Sequence, residues 1–208
     1  MLDYERKFKL QGYKAIAGLD EAGRGPLAGP VVAAAVALKD FQFKNKIRDS
    51  KKLTPLQRES AFHEISDKAY IGVGIISESV IDDKNILQAT CHAMSVAVEQ
   101  LISRLPQDLH DQVLAKTVYL LIDGNYFRSD LPFQYQTIIN GDNLSLSIAC
   151  ASVIAKVTRD RILNSYDQVY PQYGFKQHKG YPTEKHIEAL KKYGPSLIHR
   201  KSFTPNLS

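Results

Sequence analysis

Residues 15–38 constrain this chain more than any other stretch. Ala15-Ile16-Ala17-Gly18-Leu19 is a short apolar run that ends at an acid pair, Asp20-Glu21. A turn rich in Gly and Pro follows, Gly23 to Pro30, and then a second apolar run, Val31–Leu38. Short apolar runs bounded by turn residues read as buried strands, although the alanines of the second leave a helix open. Two buried strands in succession need a layer of structure on each face. The rest of the chain must supply it.

It does so by alternation. Thr54-Pro55 reads as a helix start, with Pro at the first helical position, and the helix should run to about Ala69. Tyr70 to Ile76 is a third strand. Asn85 to Leu101 or beyond is a long helix with apolar positions at Ile86, Leu87, Ala93, Val96, Ala97 and Leu101. Thr117 to Ile122 is a fourth strand, ending at Asp123-Gly124, and Tyr135 to Ile139 a short fifth. Ser145 to about Leu163 is a helix rich in Ala and Ser, which lets its backbone pack closely. Thr183 caps a last helix, Glu184 to Tyr193, stopped by Gly194-Pro195. Early strands followed by strand–helix alternation indicate an α/β domain with a mixed sheet. No repeat, low-complexity linker or domain boundary is visible. The expectation is one domain over residues 1–208, with a basic helical appendage from about residue 176.

Bulk properties remove several classes. The 208 residues are 44% hydrophobic and 24% charged, an ordinary globular composition. Cys91 and Cys150 sit far apart in apolar helical stretches and are expected as buried free thiols. No apolar run approaches the ~20 residues needed to span a bilayer. The charged segment Met1–Leu10 has no signal-peptide core, so a cytoplasmic protein is expected, and the composition, together with the resemblance described below, suggests a monomer. The formal charge is +5, and from Lys176 onward seven Lys or Arg (176, 179, 185, 191, 192, 200 and 201) against Glu184 and Glu188 account for all of it. Such a segment suits a polyanionic partner or is simply a solvated helix face.

The chemistry concentrates in acids at strand ends. Neighbours on a strand point to opposite faces, but where the strand ends the chain can twist so that Asp20 and Glu21 reach one ion. Clustered carboxylates repel and raise each other's pKa unless a cation neutralises them, and hard divalent ions suit such oxygen donors. Asp123 follows an apolar run in the same way and precedes a glycine. If the two strands are neighbours, three carboxylates lie at one sheet edge. Asp142 stands just before the Ala/Ser-rich helix, where a helix cap is the simplest reading. Asp160 falls inside that helix beside Arg159 and Arg161 and reads as a paired acid. The loose G-x-G-x-x-x-G of Gly23 to Gly29 admits a dinucleotide site, but that fingerprint needs a helix, and Pro26 and Pro30 oppose one. The same glycines can let backbone amides approach a nucleic-acid sugar or phosphate, with Arg24 adding charge. The six histidines show no zinc-ligand spacing, while His178-Lys179-Gly180-Tyr181 is a basic tip whose ring can stack on a sugar or base.

Taken together, five stretches resemble the type 2 ribonuclease H family, its ribonuclease HII branch in particular. They are Ala17–Val31, Asp49–Leu53, Leu121–Gly124, Gly141–Asp160 and His178–Thr183, in the family's order and across nearly the whole chain. The resemblance implies a ribonuclease H-like fold, a five-stranded mixed sheet flanked by helices, with a C-terminal helical segment. It implies that Asp20, Glu21, Asp123 and Asp142 hold two Mg²⁺ or Mn²⁺ ions roughly 4 Å apart, and it leaves Asp160 out. It implies that Gly23, Arg24 and Gly25 grip a ribonucleotide's 2′-OH and neighbouring phosphate. Tyr181 then recognises the RNA–DNA step, and Lys51 and Lys52 contact the substrate backbone. The implied activity is cleavage of RNA in RNA–DNA hybrids and nicking on the 5′ side of ribonucleotides in duplex DNA, giving 3′-OH and 5′-phosphate ends. The sibling ribonuclease HIII carries an extra domain before its acid motif, and the 19 residues ahead of Asp20 favour HII. Asn143 stands where a small residue or lysine is expected. Two other classes stay open: a non-catalytic hybrid-binding protein, against which all four acids argue, and a junction resolvase of the same fold, against which Gly23–Gly25 and Tyr181 argue.

Overall fold

The computed structural model describes residues 1–47, 50–110 and 114–203. Asp49, which opens one of the matching stretches, lies outside them. Five strands form one mixed sheet: β1 (Ala15–Ala22), β2 (Val31–Leu38), β3 (Ala69–Ile76), β4 (Val118–Asp123) and β5 (Gln134–Ile138), in the order β3-β2-β1-β4-β5. β1 runs antiparallel to β2, as β2 does to β3, whereas β4 runs parallel to β1 and β5 parallel to β4. The carboxyl ends of β1, β4 and β5 therefore share one edge of the sheet.

The helices are α1 (Asp3–Leu10), α2 (Pro55–Lys68), α3 (Glu78–Lys84), α4 (Ile86–Ile102), α5 (Gln107–His110), α6 (Leu114–Thr117), α7 (Gly141–Leu144), α8 (Leu146–Val169), α9 (Phe175–His178) and α10 (Glu184–Tyr193). α4 covers one face of the sheet. Ala33, Ala35, Leu19, Leu120 and Ile122 meet Ala93, Ala97 and Leu101 there. α8 and α2 cover the other, where Ala34 and Val36 meet Ala149, Val153 and Ile65. The alanines of β2 thus face two helices, and their small size admits both layers. Gly18 does the same for β1: a Cβ there would lie 2.2 Å from Ile148 N, so only glycine lets the start of α8 sit against the strand.

Local sequence explains most boundaries. Thr54 and Gln57 form a capping box on α2, and Asn85 caps α4 by accepting from Leu87 N and Gln88 N. α8 runs six residues beyond the expected Leu163, because nothing breaks it before Pro171. α1 and α3 were not expected. Each buries only one or two residues, Glu5 and Phe8 in α1 and Ile81 in α3, too few for a periodic signal. Cys91 and Cys150 are buried and free, as expected. Among the described residues no helix is long and apolar enough to cross a membrane.

The C-terminal segment packs against the rest of the chain. Tyr173, Phe175, Leu190 and Ile198 form a small core with Leu163 from α8 and with Leu27 and Ala28 from the turn after β1. The segment is therefore built onto the loop that follows the acid pair.

Candidate functional site

The acids expected after β1 lie within it. The strand continues to Ala22, with Asp20 opposite Ala34 and Glu21 opposite Ala33 in β2. The last paired residues of β1 and β4 are Leu19 and Ile122, so Asp20 and Asp123 stand side by side one step further on. Both fall on the face covered by α8, whereas Glu21 follows Leu19 toward the α4 face. Asp20 is buried, and burial first, then the charges of Glu21 and Asp123, push its carboxyl well above the usual range. The Ser152 hydroxyl and the Glu21 amide, the latter at 2.7 Å, offset part of that. Burial and Asp123 also raise Glu21, while Arg24, 3.4 Å away, and Lys51 act in the other direction.

Asp142 is not the cap that its position suggested. The residue before α7 is Asn140 and the cap of α8 is Ser145, which accepts from Ile148 N. Asp142 is instead buried in the short helix α7 and accepts from Asn143 Nδ2 at 2.7 Å. α7 is tied to the sheet by its first residue, since Gly141 N donates to Asp123 Oδ1 at 2.7 Å. Asn143 also accepts from Lys52 Nζ at 2.6 Å, so Lys52 is linked to Asp142 through the residue that departs from the family pattern. Lys51, by contrast, lines the cleft beside Asp20. The two lysines therefore have different surroundings.

That cleft, about 350 Å³, brings Asp20, Glu21, Gly23, Arg24, Gly25, Lys51 and Tyr181 together, along with Ser152 and Lys156. Asp123, Asp142 and Lys52 are not among its walls. Among the described residues no three His, Cys, Asp or Glu side chains are drawn in tightly enough to enclose an ion.

Two arginines that the sequence did not single out shape this cleft. Arg159, buried in α8, donates to the carbonyls of Ala28, Pro30 and Lys179 at 2.9–3.0 Å. Arg200, fully buried, donates to those of Gly23, Arg24, Pro26 and Gly29 at 2.6–3.0 Å. Burial lowers their pKa values to about 10 and, with the charge of Arg159 adding to it, about 9, so both remain cationic at neutral pH. Arg200, one of the seven basic residues of the C-terminal segment, is a bolt inside the protein and not a surface charge. Asp160 pairs with Lys156 at 2.7 Å and not with Arg159 or Arg161, because Arg159 is turned inward and Arg161 reaches Glu59. The clamp has a geometric result. A trans peptide places each N–H opposite the preceding carbonyl. With the Gly23 and Arg24 carbonyls on Arg200, the N–H groups of Arg24 and Gly25 point away from it. Gly23 itself has φ +101°, and a Cβ there would strike the Arg159 side chain at 2.1 Å.

Tyr181 stands across from Gly25, its ring 3.7 Å from where a Cβ would be, and is 44% exposed. Behind it lies a second unexpected feature, three histidines of the C-terminal segment packed together. His178 and His186 stack at 4.3 Å between ring centroids, and His186 Nε2 meets His199 Nε2 at 3.0 Å. His186 Nδ1 faces the Tyr181 carbonyl at 2.9 Å. A carbonyl only accepts, so that nitrogen carries the proton. His186 Nε2 is then an acceptor, His199 Nε2 a donor, and His199 Nδ1 accepts from Ser196. The cluster is complete with every ring neutral. Burial, the first cause, lowers all three pKa values, that of His199 to about 4.

The sequence matches the family profile for ribonuclease HII over residues 17–206. The chain belongs to the ribonuclease HII family. It is 51% identical over 207 residues to the ribonuclease HII of Acetivibrio thermocellus, covering 99% of this chain and 76% of that one. It is similar in structure to the ribonuclease H2 of Pyrococcus horikoshii, with a TM-score of 0.70 and 26% identity over 90% of this chain and 93% of the other. Bst-RNase HIII, solved in complex with Mn²⁺, shares the fold at a TM-score of 0.62 and 15% identity, over 91% of this chain and 67% of that one. The ribonuclease HII chain described here is thus a type 2 ribonuclease H, an endonuclease on an α/β fold with a five-stranded mixed sheet.

Proposed function

We propose that this ribonuclease HII cuts the RNA strand of RNA–DNA hybrids and nicks duplex DNA on the 5′ side of an embedded ribonucleotide, leaving 3′-OH and 5′-phosphate ends. The observation that carries the proposal is one cleft holding two mutually repelling carboxylates, Asp20 and Glu21, beside a clamped glycine loop and Tyr181.

The donor set suits a divalent ion. Asp20 and Glu21 are hard oxygen donors held in the sheet at a cost in repulsion, to which Asp123 adds, and a cation relieves that cost. Asp20, Glu21, Asp123 and Asp142 are proposed to hold two such ions, Mg²⁺ or Mn²⁺. When bound, they would supply an activated water and neutralise charge at the scissile phosphate and the leaving 3′-oxygen. Gly141, through Asp123, and Asn143, through Asp142, keep those two carboxylates oriented.

Discrimination between RNA and DNA falls to the other wall. The N–H groups of Arg24 and Gly25, aimed away from Arg200, can donate to a 2′-OH and the adjoining phosphate, and DNA lacks that hydroxyl. The Tyr181 ring opposite is placed to pack on the sugar or base at the junction. Lys51 adds a charge for the backbone, and Lys52 a second by way of α7.

The test is a duplex with a single ribonucleotide, incubated with and without Mg²⁺ or Mn²⁺. A single nick 5′ of the ribonucleotide, dependent on the ion and absent from all-DNA duplex, is expected. No nicking with either ion overturns the proposal.

A further inference from the structure

A second cleft of about 560 Å³ opens between α2, α8 and α9, next to the carboxylate cleft. Lys156 lines both, so the two adjoin without a break in charge. Five cations border the second cleft: Arg58, Lys156, Arg161, Lys176 and Lys179. Glu59 and Asp160 are the two acids, and each already has a cation, Arg161 at 2.6 Å and Lys156 at 2.7 Å. The walls therefore carry an excess of three positive charges, two of the cations coming from the basic C-terminal segment.

Two of these cations are anchored on the protein itself. Arg58 is fixed to the carbonyls of Ser50 and Leu53, which flank Lys51. Lys179 has a left-handed backbone, φ 52°, its carbonyl held by Arg159 and its ammonium by Asn164 Oδ1 and the Lys176 carbonyl, each at 2.6 Å. An ammonium has three N–H donors, so one remains for an incoming oxygen. A left-handed non-glycine residue persists only where its surroundings hold it, and here that fixes a cation two residues before Tyr181.

We propose that this groove receives the sugar–phosphate backbone of the substrate duplex beyond the cleavage site, with Lys176, Lys179 and Arg161 as phosphate contacts. The proposal rests on the nuclease reading of the neighbouring cleft. Several cations lining one groove match the charge of a nucleic-acid strand, and such contacts add affinity without reading sequence. Both acids already have partners, which leaves no free negative charge in the groove for a basic or mixed-charge protein surface. Continuity through Lys156 makes the substrate already in the first cleft the nearest polyanion.

The experiment measures binding of two uncleaved duplexes, each with one ribonucleotide, one too short to reach past Lys156 and one long. Fluorescence anisotropy is read against salt for wild type, Lys176→Gln, Arg161→Gln and Lys176→Arg. For the long duplex the slope of log affinity against log salt should fall by about 0.9 for each charge removed, roughly an eightfold change over a decade of salt. The short duplex should show no change, and Lys176→Arg should keep the wild-type slope. Identical slopes for wild type and both Gln variants on the long duplex would overturn the groove, as would an equal loss on both duplexes. If wild type binds with the predicted slopes but never nicks, the nuclease reading fails and the groove stands.

Discussion

His186 Nε2 and His199 Nε2 face each other at 3.0 Å, and only one of the two nitrogens carries a proton. A second proton on His186 would oppose two N–H groups across that gap. A second proton on His199 Nδ1 would collide with the two donors of Ser196. Burial first, and then the nearness of His186, lower the pKa of His199 from 6.5 to about 4, so the folded state prefers the neutral rings.

The sign of the pH dependence follows. Between about 6.5 and 4 the unfolded chain binds protons that the folded chain refuses, so stability rises with pH in that window. It is complete above 6.5 and is lost as pH falls through 4. The loss should reach roughly 2–3 kcal/mol from His199. Urea unfolding at pH 7.5, 6, 5 and 4 measures it. A His199→Gln variant should flatten the curve, and a wild-type curve flat from 7.5 to 4 would remove the neutral-cluster account.

Asp123→Asn should abolish nicking while duplex binding stays largely intact. Asn keeps an oxygen to accept from Gly141 and removes a charge that raises Asp20 and Glu21. The variant should therefore be more stable than wild type without divalent ions, by about 1 kcal/mol. Saturating Mg²⁺ should raise the melting temperature of wild type more than that of the variant. Equal shifts in both would show that Asp123 holds no ion.

Tyr181→Ala removes a half-exposed ring. The melting temperature should change little, and the preference for a ribonucleotide junction over a continuous hybrid should shrink. The ratio of kcat/KM on the two duplexes reads it. An unchanged ratio would take Tyr181 out of recognition.

Arg200→Met keeps the aliphatic stem and removes every donor to the Gly23, Arg24, Pro26 and Gly29 carbonyls. With several buried acceptors unpaired, a loss of about 3–5 kcal/mol is expected in chemical denaturation. A variant as stable as wild type would mean that water replaces the clamp readily. Discrimination against all-DNA duplex should weaken in whatever fraction stays folded.

Much of this was legible in the residues themselves. The strands and the acids at their carboxyl ends announced themselves because burial on both faces demands near-continuous apolar runs, and a charged residue ends such a run abruptly. Asp142 was legible only through resemblance, since an acid before a helix has a simpler explanation, one that the caps at Asn140 and Ser145 displace. Arg159, Arg200 and the histidine cluster left no local mark. The arginines' partners are mostly backbone carbonyls far away in sequence, the histidines meet at spacings that fit no ligand motif, and a buried arginine looks in sequence like any other. Within the basic C-terminal segment Arg200 stands apart for the same reason, because formal charge does not tell which cations are turned inward.

The clamp joins residues 177 positions apart. All four acids and Tyr181 leave the ribosome before Arg200 does. A nascent chain can thus assemble its sheet and carboxylates while the Gly23–Gly29 turn still lacks the donors that fix its peptide planes. The shape of that turn is a late acquisition in the life of each molecule, conferred by nearly the last described residue on one of the first motifs made.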